Sequence, residues 1–138
     1  MNALFPSETL TLQSPDNAYT RDAWFHPGPQ TPHRLAILLD GEFYLERAQV
    51  LPIIQALTKA GKIPAMSWLF VASGGAAARH TDFTFNPDFA RFIGQSAVGW
   101  AHERLGGVQT TQNLICGLGR VCKMGPRQAS SMTSRPRR

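Results

Sequence analysis

The chain has 138 residues, of which 43% are hydrophobic and 17% charged, as in one ordinary globular domain. No apolar run approaches the 18 residues that indicate a transmembrane helix, and the first ten residues lack the basic and apolar regions of a secretory signal. These features argue against a membrane-spanning or exported protein, so we expect a cytoplasmic protein without a membrane partner.

The net charge of +5 comes from one end of the chain. Residues 120–138 hold six of the 14 basic residues and no acidic residue, so residues 1–119 are close to neutral. We interpret residues 120–138 as a solvated, disordered tail. Non-specific binding of nucleic acid through this tail is the alternative. No aromatic residue is interleaved with these charges to stack on bases, so we expect no specific nucleic-acid partner.

Two strands are predicted near the beginning of the chain. Residues 8–14 alternate polar and apolar side chains and end at a Pro-Asp-Asn turn, which is typical of a half-buried strand. Residues 21–26 form a second short strand, with Trp24 on the face opposite Ala23 and Phe25. The proline-rich residues 27–32 are predicted to be a loop.

The next element is a continuous apolar run, residues 34–39, which indicates a strand buried on both faces. It ends at Asp40-Gly41. A helix is expected from about Arg47 to Ala60, because apolar residues recur there at helical spacing. The predicted apolar face consists of Val50, Ile53, Ile54 and Leu57.

A second buried strand is predicted for residues 66–72, followed by a loop over residues 76–86. Arg79, His80 and Asp82 are expected to be exposed in this loop. A functional His80–Asp82 dyad is the alternative to ordinary exposed polar side chains.

A second helix is predicted for residues 87–104, with Asn86 as its N-cap and Gly106-Gly107 as its end. Its apolar face is expected to consist of Phe89, Phe92, Ile93, Ala97 and Trp100. Residues 113–118 are predicted to be a third buried strand, in which Cys116 points into the sheet packing. Alternating strands and helices predict a parallel sheet with helices on both faces, an α/β fold.

Metal and cofactor sites are not indicated. Cys116 and Cys122 have no zinc-finger spacing and no nearby histidine. His26, His33 and His102 are scattered through the sequence without a ligand spacing. The Ser73-Gly74-Gly75 segment is only a weak signal for an anion-binding loop.

Five short segments resemble one family of enzymes. Residues 38–47, Leu-Leu-Asp-Gly-Glu-Phe-Tyr-Leu-Glu-Arg, are similar to the enterochelin-esterase-like (esterase D-type) family of α/β-hydrolases. The similarity continues through Ile63-Pro64 and Ser73-Gly74, and through Arg79-His80 with the Asn-Pro-Asp-Phe segment that begins at Asn86. It covers roughly residues 20–118. The resemblance implies the first half of an α/β-hydrolase domain over residues 1–119, an incomplete, mostly parallel sheet with flanking helices.

The resemblance also implies an activity and its residues. Family members are serine hydrolases of carboxylic esters, some of them esters of catecholate siderophores, so the implied partner is a small-molecule ester. The nucleophile would lie in a Gly-x-Ser-x-Gly elbow at position 119, which is Gly119 in this chain. The oxyanion-hole amides would come from Glu42 and from Arg120.

Gly119 has no oxygen that could attack a carbonyl, and position 121 is valine instead of the second glycine of the elbow. Residues 120–138 contain no Asp, Glu or His to complete a catalytic triad. We therefore expect a truncated, inactive esterase homologue. A non-catalytic binding or interaction module is the alternative. The last strand, central in the family fold, would become an exposed apolar edge that favours self-association or aggregation.

Overall fold

A computed structural model of the chain describes residues 8–28, 34–107, 110 and 112–117. The interpretations of Gly119, Arg120, Cys122, His33 and the basic tail lie outside the described residues. The same holds for most of the proline-rich loop.

In the part of the chain that the structure describes, five strands form one sheet. They are β1 (Glu8–Gln13), β2 (Thr20–His26), β3 (Arg34–Leu39), β4 (Ser67–Val71) and β5 (Gln112–Cys116). Their order in the sheet is β1-β2-β4-β3-β5. β3 runs parallel to β4 and β5, whereas β2 is antiparallel to β1 and to β4. The sheet is therefore mixed, and its parallel part consists of the three strands that the alternating pattern predicted.

Among the described residues, six helical segments connect the strands. They are α1 (Phe43–Arg47), α2 (Val50–Lys59), α3 (Ala76–Asp82), α4 (Pro87–Arg91), α5 (Phe92–Ala97) and α6 (Val98–Arg104). The α1 and α5 segments are π-helical. Segments α4 to α6 follow one another without interruption and form the long helix predicted for residues 87–104. The Asn86 side chain accepts hydrogen bonds from the amides of Asp88 and Phe89, which confirms the predicted N-cap.

Helices cover both faces of the sheet, as predicted. One face packs Phe25, Leu35, Ile37 and Leu69 against α4 to α6, and the Phe25 and Trp100 rings meet edge to face at 5.2 Å. On the other face, α1 and α2 cover a smaller cluster that contains Leu38, Ile54, Trp68 and Phe70. Burial of these side chains on two faces is what makes the β3 and β4 sequences continuously apolar.

The first helix differs from its prediction. α2 begins at Val50, because Gln49 adopts a left-handed conformation with φ of 50° and separates α2 from α1. The helix packs against the sheet through Ile54, with Val50 and Leu51 beside it. Ile54 is buried as predicted, but the Ile53 side chain is 54% exposed.

The loop predicted for residues 76–86 is wrong over its first half, which forms α3. Asp82 is buried and makes an ion pair of 2.6 Å with Arg21 of β2, whereas His80 is exposed. The α3 sequence has no large apolar side chain that would mark a helical face, and Arg79 and Asp82 hold the helix through ion pairs. No His80–Asp82 dyad forms, since the Asp82 carboxylate faces Arg21.

The prediction of a last strand buried on both faces is also wrong. β5 alternates exposed and half-buried residues, Leu114 is 48% exposed and Cys116 is exposed. Among the described strands β5 pairs only with β3, so it is an edge strand of the sheet.

A histidine of α6, His102, is hydrogen-bonded to the segment before β5. His102 Nε2 accepts a hydrogen bond from the Thr110 amide at 3.2 Å, and the Thr110 hydroxyl donates to Asn113 Oδ1. Burial lowers the pKa of His102. An acceptor nitrogen cannot carry a proton, so this contact requires neutral His102.

We expect the fold to lose stability as the pH falls below about 6.5, the ordinary pKa of histidine. The unfolded chain then binds a proton that half-buried His102 resists, which favours unfolding. Urea unfolding at pH 7.5 and 5.5 measures this difference. The His102→Gln variant should show a smaller loss than wild type, and His80→Gln, at an exposed histidine, the same loss as wild type. Equal losses in wild type and His102→Gln would contradict the assignment.

Candidate functional site

The order of the parallel strands reverses direction at β3. The chain passes from β3 to its neighbour β4 and then returns past β3 to β5 on the other side. The connections run on opposite faces, through α1 and α2 on one and α4 to α6 on the other. In open α/β sheets, ligands bind outside the carboxyl ends of the strands where the order reverses. Here that place lies beyond β3 and β5, at Asp40-Gly41-Glu42 and Gly117.

The turn after β3 comes unusually close to β4. A Cβ atom added at Gly41 would lie 2.8 Å from the Phe70 backbone and from Val71 N, nearer than real Cβ atoms approach such atoms. Asp40, just before it, has φ of 61°, in the left-handed region that few residues other than glycine adopt. These two residues turn the chain sharply from the strand into α1.

An ion pair holds the turn. Arg79 of α3 binds the Asp40 carboxylate through two nitrogens, with Nε–Oδ1 at 2.7 Å and Nη2–Oδ2 at 3.1 Å. The Asp40 side chain is 3% exposed and that of Arg79 is 31% exposed. The bidentate geometry fixes the orientation of Asp40 as well as its charge.

Glu42 connects the same turn to the end of β4. Its carboxylate accepts hydrogen bonds from the Ser73 amide at 3.0 Å and from the Ser73 hydroxyl. The amides of Phe43 and Tyr44 donate to the Asp40 carbonyl, so Glu42 lies in the first helical turn. Amides of the first turn have no acceptor within their own helix. The Glu42 N–H is therefore a backbone donor on a turn that is held from two sides.

Tyr44 and Cys116 lie on the β5 side of the candidate site. The Tyr44 hydroxyl lies 3.8 Å from Cys116 Sγ, one residue before Gly117. Burial, together with the neighbouring thiol, raises the pKa of Tyr44 to about 12. Tyr44 is thus a neutral hydroxyl at physiological pH, able to donate or accept a hydrogen bond.

The described part of the site contains one candidate backbone donor, the Glu42 N–H, on a turn held by Arg79 and Ser73. Of the residues singled out from the sequence, Glu42 lies in the turn after β3, whereas Gly119 and Arg120 lie outside the described residues. Ser73 has its hydroxyl committed to Glu42. Sequence reasoning missed the Asp40–Arg79 and Glu42–Ser73 contacts, since a spacing of more than 30 residues carries no local pattern.

A cavity of about 710 Å³ lies elsewhere, between the β1–β2 turn, α3 and the α4–α5 helix. Tyr19, Arg21 and Asp82 line it, and Asp40 and Glu42 do not. Burial raises the pKa of Asp82, while its hydrogen bond with Arg21 acts in the opposite direction. Both charges of this pair are already matched, so we place the candidate site at the strand ends rather than here.

Within residues 8–28, 34–107, 110 and 112–117, no three His, Cys, Asp or Glu side chains are grouped so that they could hold a metal ion. In the same part of the chain, no helix has the length and apolar character needed to cross a membrane.

We expect Arg79→Met to destabilise the fold by about 3 kcal/mol, since it leaves the buried Asp40 carboxylate without its bidentate partner. Arg91→Met is the matched control. Its ion pair with Asp88 lies on the surface, with side chains 58% and 71% exposed, and is worth about 0–1 kcal/mol. Urea unfolding of both variants measures the two losses, and similar losses would show that the Asp40–Arg79 pair does not hold the turn.

No protein-family model and no curated protein matches the sequence. Solved structures do match. The enterochelin esterase from Shigella flexneri superposes with a TM-score of 0.80 at 20% identity, over 92% of this chain and 33% of that chain. The siderophore hydrolase EstB from Aspergillus nidulans gives a TM-score of 0.63 at 15% identity, over 88% of this chain and 50% of that chain.

An IroE-like serine hydrolase from Shewanella oneidensis gives a TM-score of 0.58 at 17% identity, over 79% of this chain and 41% of that chain. This chain thus spans between a third and a half of the length of these three proteins. At such identities the similarity establishes the fold. The chain has a partial enterochelin-esterase-like fold of the α/β-hydrolase type.

Proposed function

We propose that the turn after β3 is the oxyanion-side half of a carboxylic-ester hydrolase site of the siderophore-esterase type. The observation that carries this proposal is the Glu42 N–H, a first-turn amide on a turn held by Arg79 and Ser73. Such a donor stabilises the negative charge that develops on an ester carbonyl oxygen. One of the structural neighbours, from Shigella flexneri, was solved in the presence of enterobactin.

In the complete site, a second amide and a nucleophile would lie across the strand ends from Glu42. By resemblance, they would come from Arg120 and from position 119. A serine there would attack the ester carbonyl, form an acyl-enzyme and release the alcohol, with a histidine carrying the proton. Position 119 is glycine, which has no side-chain oxygen. We therefore propose that this chain binds an ester or its product without hydrolysing it.

Two variants at position 42 separate its amide from its side chain. Glu42 has φ of −62°, within the range that the proline ring fixes, so a proline at position 42 keeps this φ and has no N–H. Glu42→Ala keeps the amide and loses the carboxylate. Glu42→Pro loses both, so the difference between the two variants reports on the N–H.

We expect the Glu42 amide signal in ¹⁵N–¹H NMR to shift on titration with 2,3-dihydroxy-N-benzoyl-serine, a compound present in one solved neighbour. The position-42 amide should still shift in Glu42→Ala. Binding followed at other amides should weaken severalfold in Glu42→Pro, because the donor is gone. Equal binding by the two variants, or no binding by wild type, would overturn the proposal.

We also expect no hydrolysis of p-nitrophenyl acetate above the buffer rate by wild type or by Gly119→Ser, because a serine alone lacks its base. Release of p-nitrophenol measures the rate. Activity that is the same in Glu42→Pro identifies a contaminating esterase. Wild-type activity that disappears in Glu42→Pro would show that the chain is itself a catalyst.

A further inference from the structure

The cavity beside α3 has the size of a small-molecule site. Its volume of about 710 Å³ lies within the range of roughly 300–1,000 Å³ that is usual for ligand pockets. The β1–β2 turn, α3 and the α4–α5 helix each contribute to its wall. Buried Asp82 and Phe92 and half-buried Tyr19 line it, so the cavity combines a charged side chain with aromatic surface.

The Arg21–Asp82 pair leaves one carboxylate oxygen unused. Asp82 Oδ2 accepts a hydrogen bond from Arg21 Nη2, whereas Asp82 Oδ1 has no hydrogen-bond partner among the described residues. The Asp82 side chain is only 5% exposed, so bulk water solvates this oxygen poorly. The Arg79–Asp40 pair, by contrast, uses both carboxylate oxygens. A poorly solvated oxygen without a donor is unfavourable, and a donor group in the cavity would remove this cost.

The charges around the cavity favour a cation over an anion. Both arginines that line it are already paired, Arg21 with Asp82 and Arg91 with Asp88. The third aspartate of the lining, exposed Asp16, has no ion pair within the described part of the chain, so one negative charge is left over. The whole chain has a net charge of +5, which repels small cations in general. A cation that binds therefore needs a local site of this kind.

We propose that the cavity binds a small organic ammonium ion, whose N–H groups donate to Asp82 Oδ1 and whose apolar part packs beside Tyr19 and Phe92. Hydrogen bonds between two charged groups are stronger than those of a neutral donor, which favours an ammonium over a hydroxyl group. The small side chains of Ala77 and Ala78 leave room for the apolar part. The proposal is independent of the ester site, because the cavity contains neither Asp40 nor Glu42 in its lining.

Titration with n-butylammonium chloride at constant ionic strength, followed by ¹⁵N–¹H NMR, tests the ligand class. Saturable shifts are expected at amides of α3 and of the β1–β2 turn. n-Butanol has the same chain with a neutral donor, and sodium butyrate carries the opposite charge, so both should bind at least fivefold more weakly. The absence of saturable shifts at these amides, or equal binding of n-butanol or butyrate, overturns the proposal.

A matched pair of variants on α3 tests the location. Ala77 lines the cavity, whereas Ala76, its exposed neighbour in the same helix, does not. Ala77→Met should fill part of the cavity and weaken n-butylammonium binding at least fivefold, and Ala76→Met should bind as wild type does. Equal binding by these two variants contradicts the location.

A third variant tests the role of the carboxylate. Asp82→Asn keeps the shape of the side chain and removes its charge, so it should also weaken n-butylammonium binding at least fivefold. Its NMR spectrum shows whether it is folded. A folded Asp82→Asn that binds as wild type does would overturn the proposal, and the alanine pair tests the site without this variant.

Discussion

The close approach of the turn after β3 to the backbone of β4 is the constraint on which the rest of the site depends. It requires glycine at 41, because a Cβ atom there would lie 2.8 Å from the Phe70 backbone. It also places Asp40 in a left-handed conformation, with φ of 61°. With the turn in this position, α1 starts directly above the strand ends, Glu42 reaches Ser73, and Tyr44 reaches Cys116.

Two ion pairs hold α3 between the sheet and the candidate site. Arg79 binds Asp40 after β3, and Asp82 binds Arg21 of β2. A helix of seven residues is too short to be stable by its own hydrogen bonds. Buried ion pairs add little net stability, but each is costly to break, so they specify where the helix lies. The position of α3 in turn orients Asp40 and the turn after β3.

The two halves of the proposed ester site need different groups from the sequence. In the proposed site, the half at the end of β3 would use backbone amides, whose position depends on the turn after β3. The half beyond β5 needs a particular side chain, and the sequence has Gly119 there. Glycine adopts the strained backbone of a nucleophile elbow without cost, so its presence is compatible with the fold while it removes the reacting atom.

The order and type of most elements followed from the sequence alone, because burial on two faces and helical spacing leave local patterns, as in β3 and in the helix after Asn86. The sequence alone also shows that position 119 has no nucleophilic side chain. Only the tertiary structure decided that α3 is a helix, that Ile53 and Cys116 are exposed and that Arg79 meets Asp40. Each of these depends on residues far apart in the chain, and such contacts leave no periodic signal in the sequence.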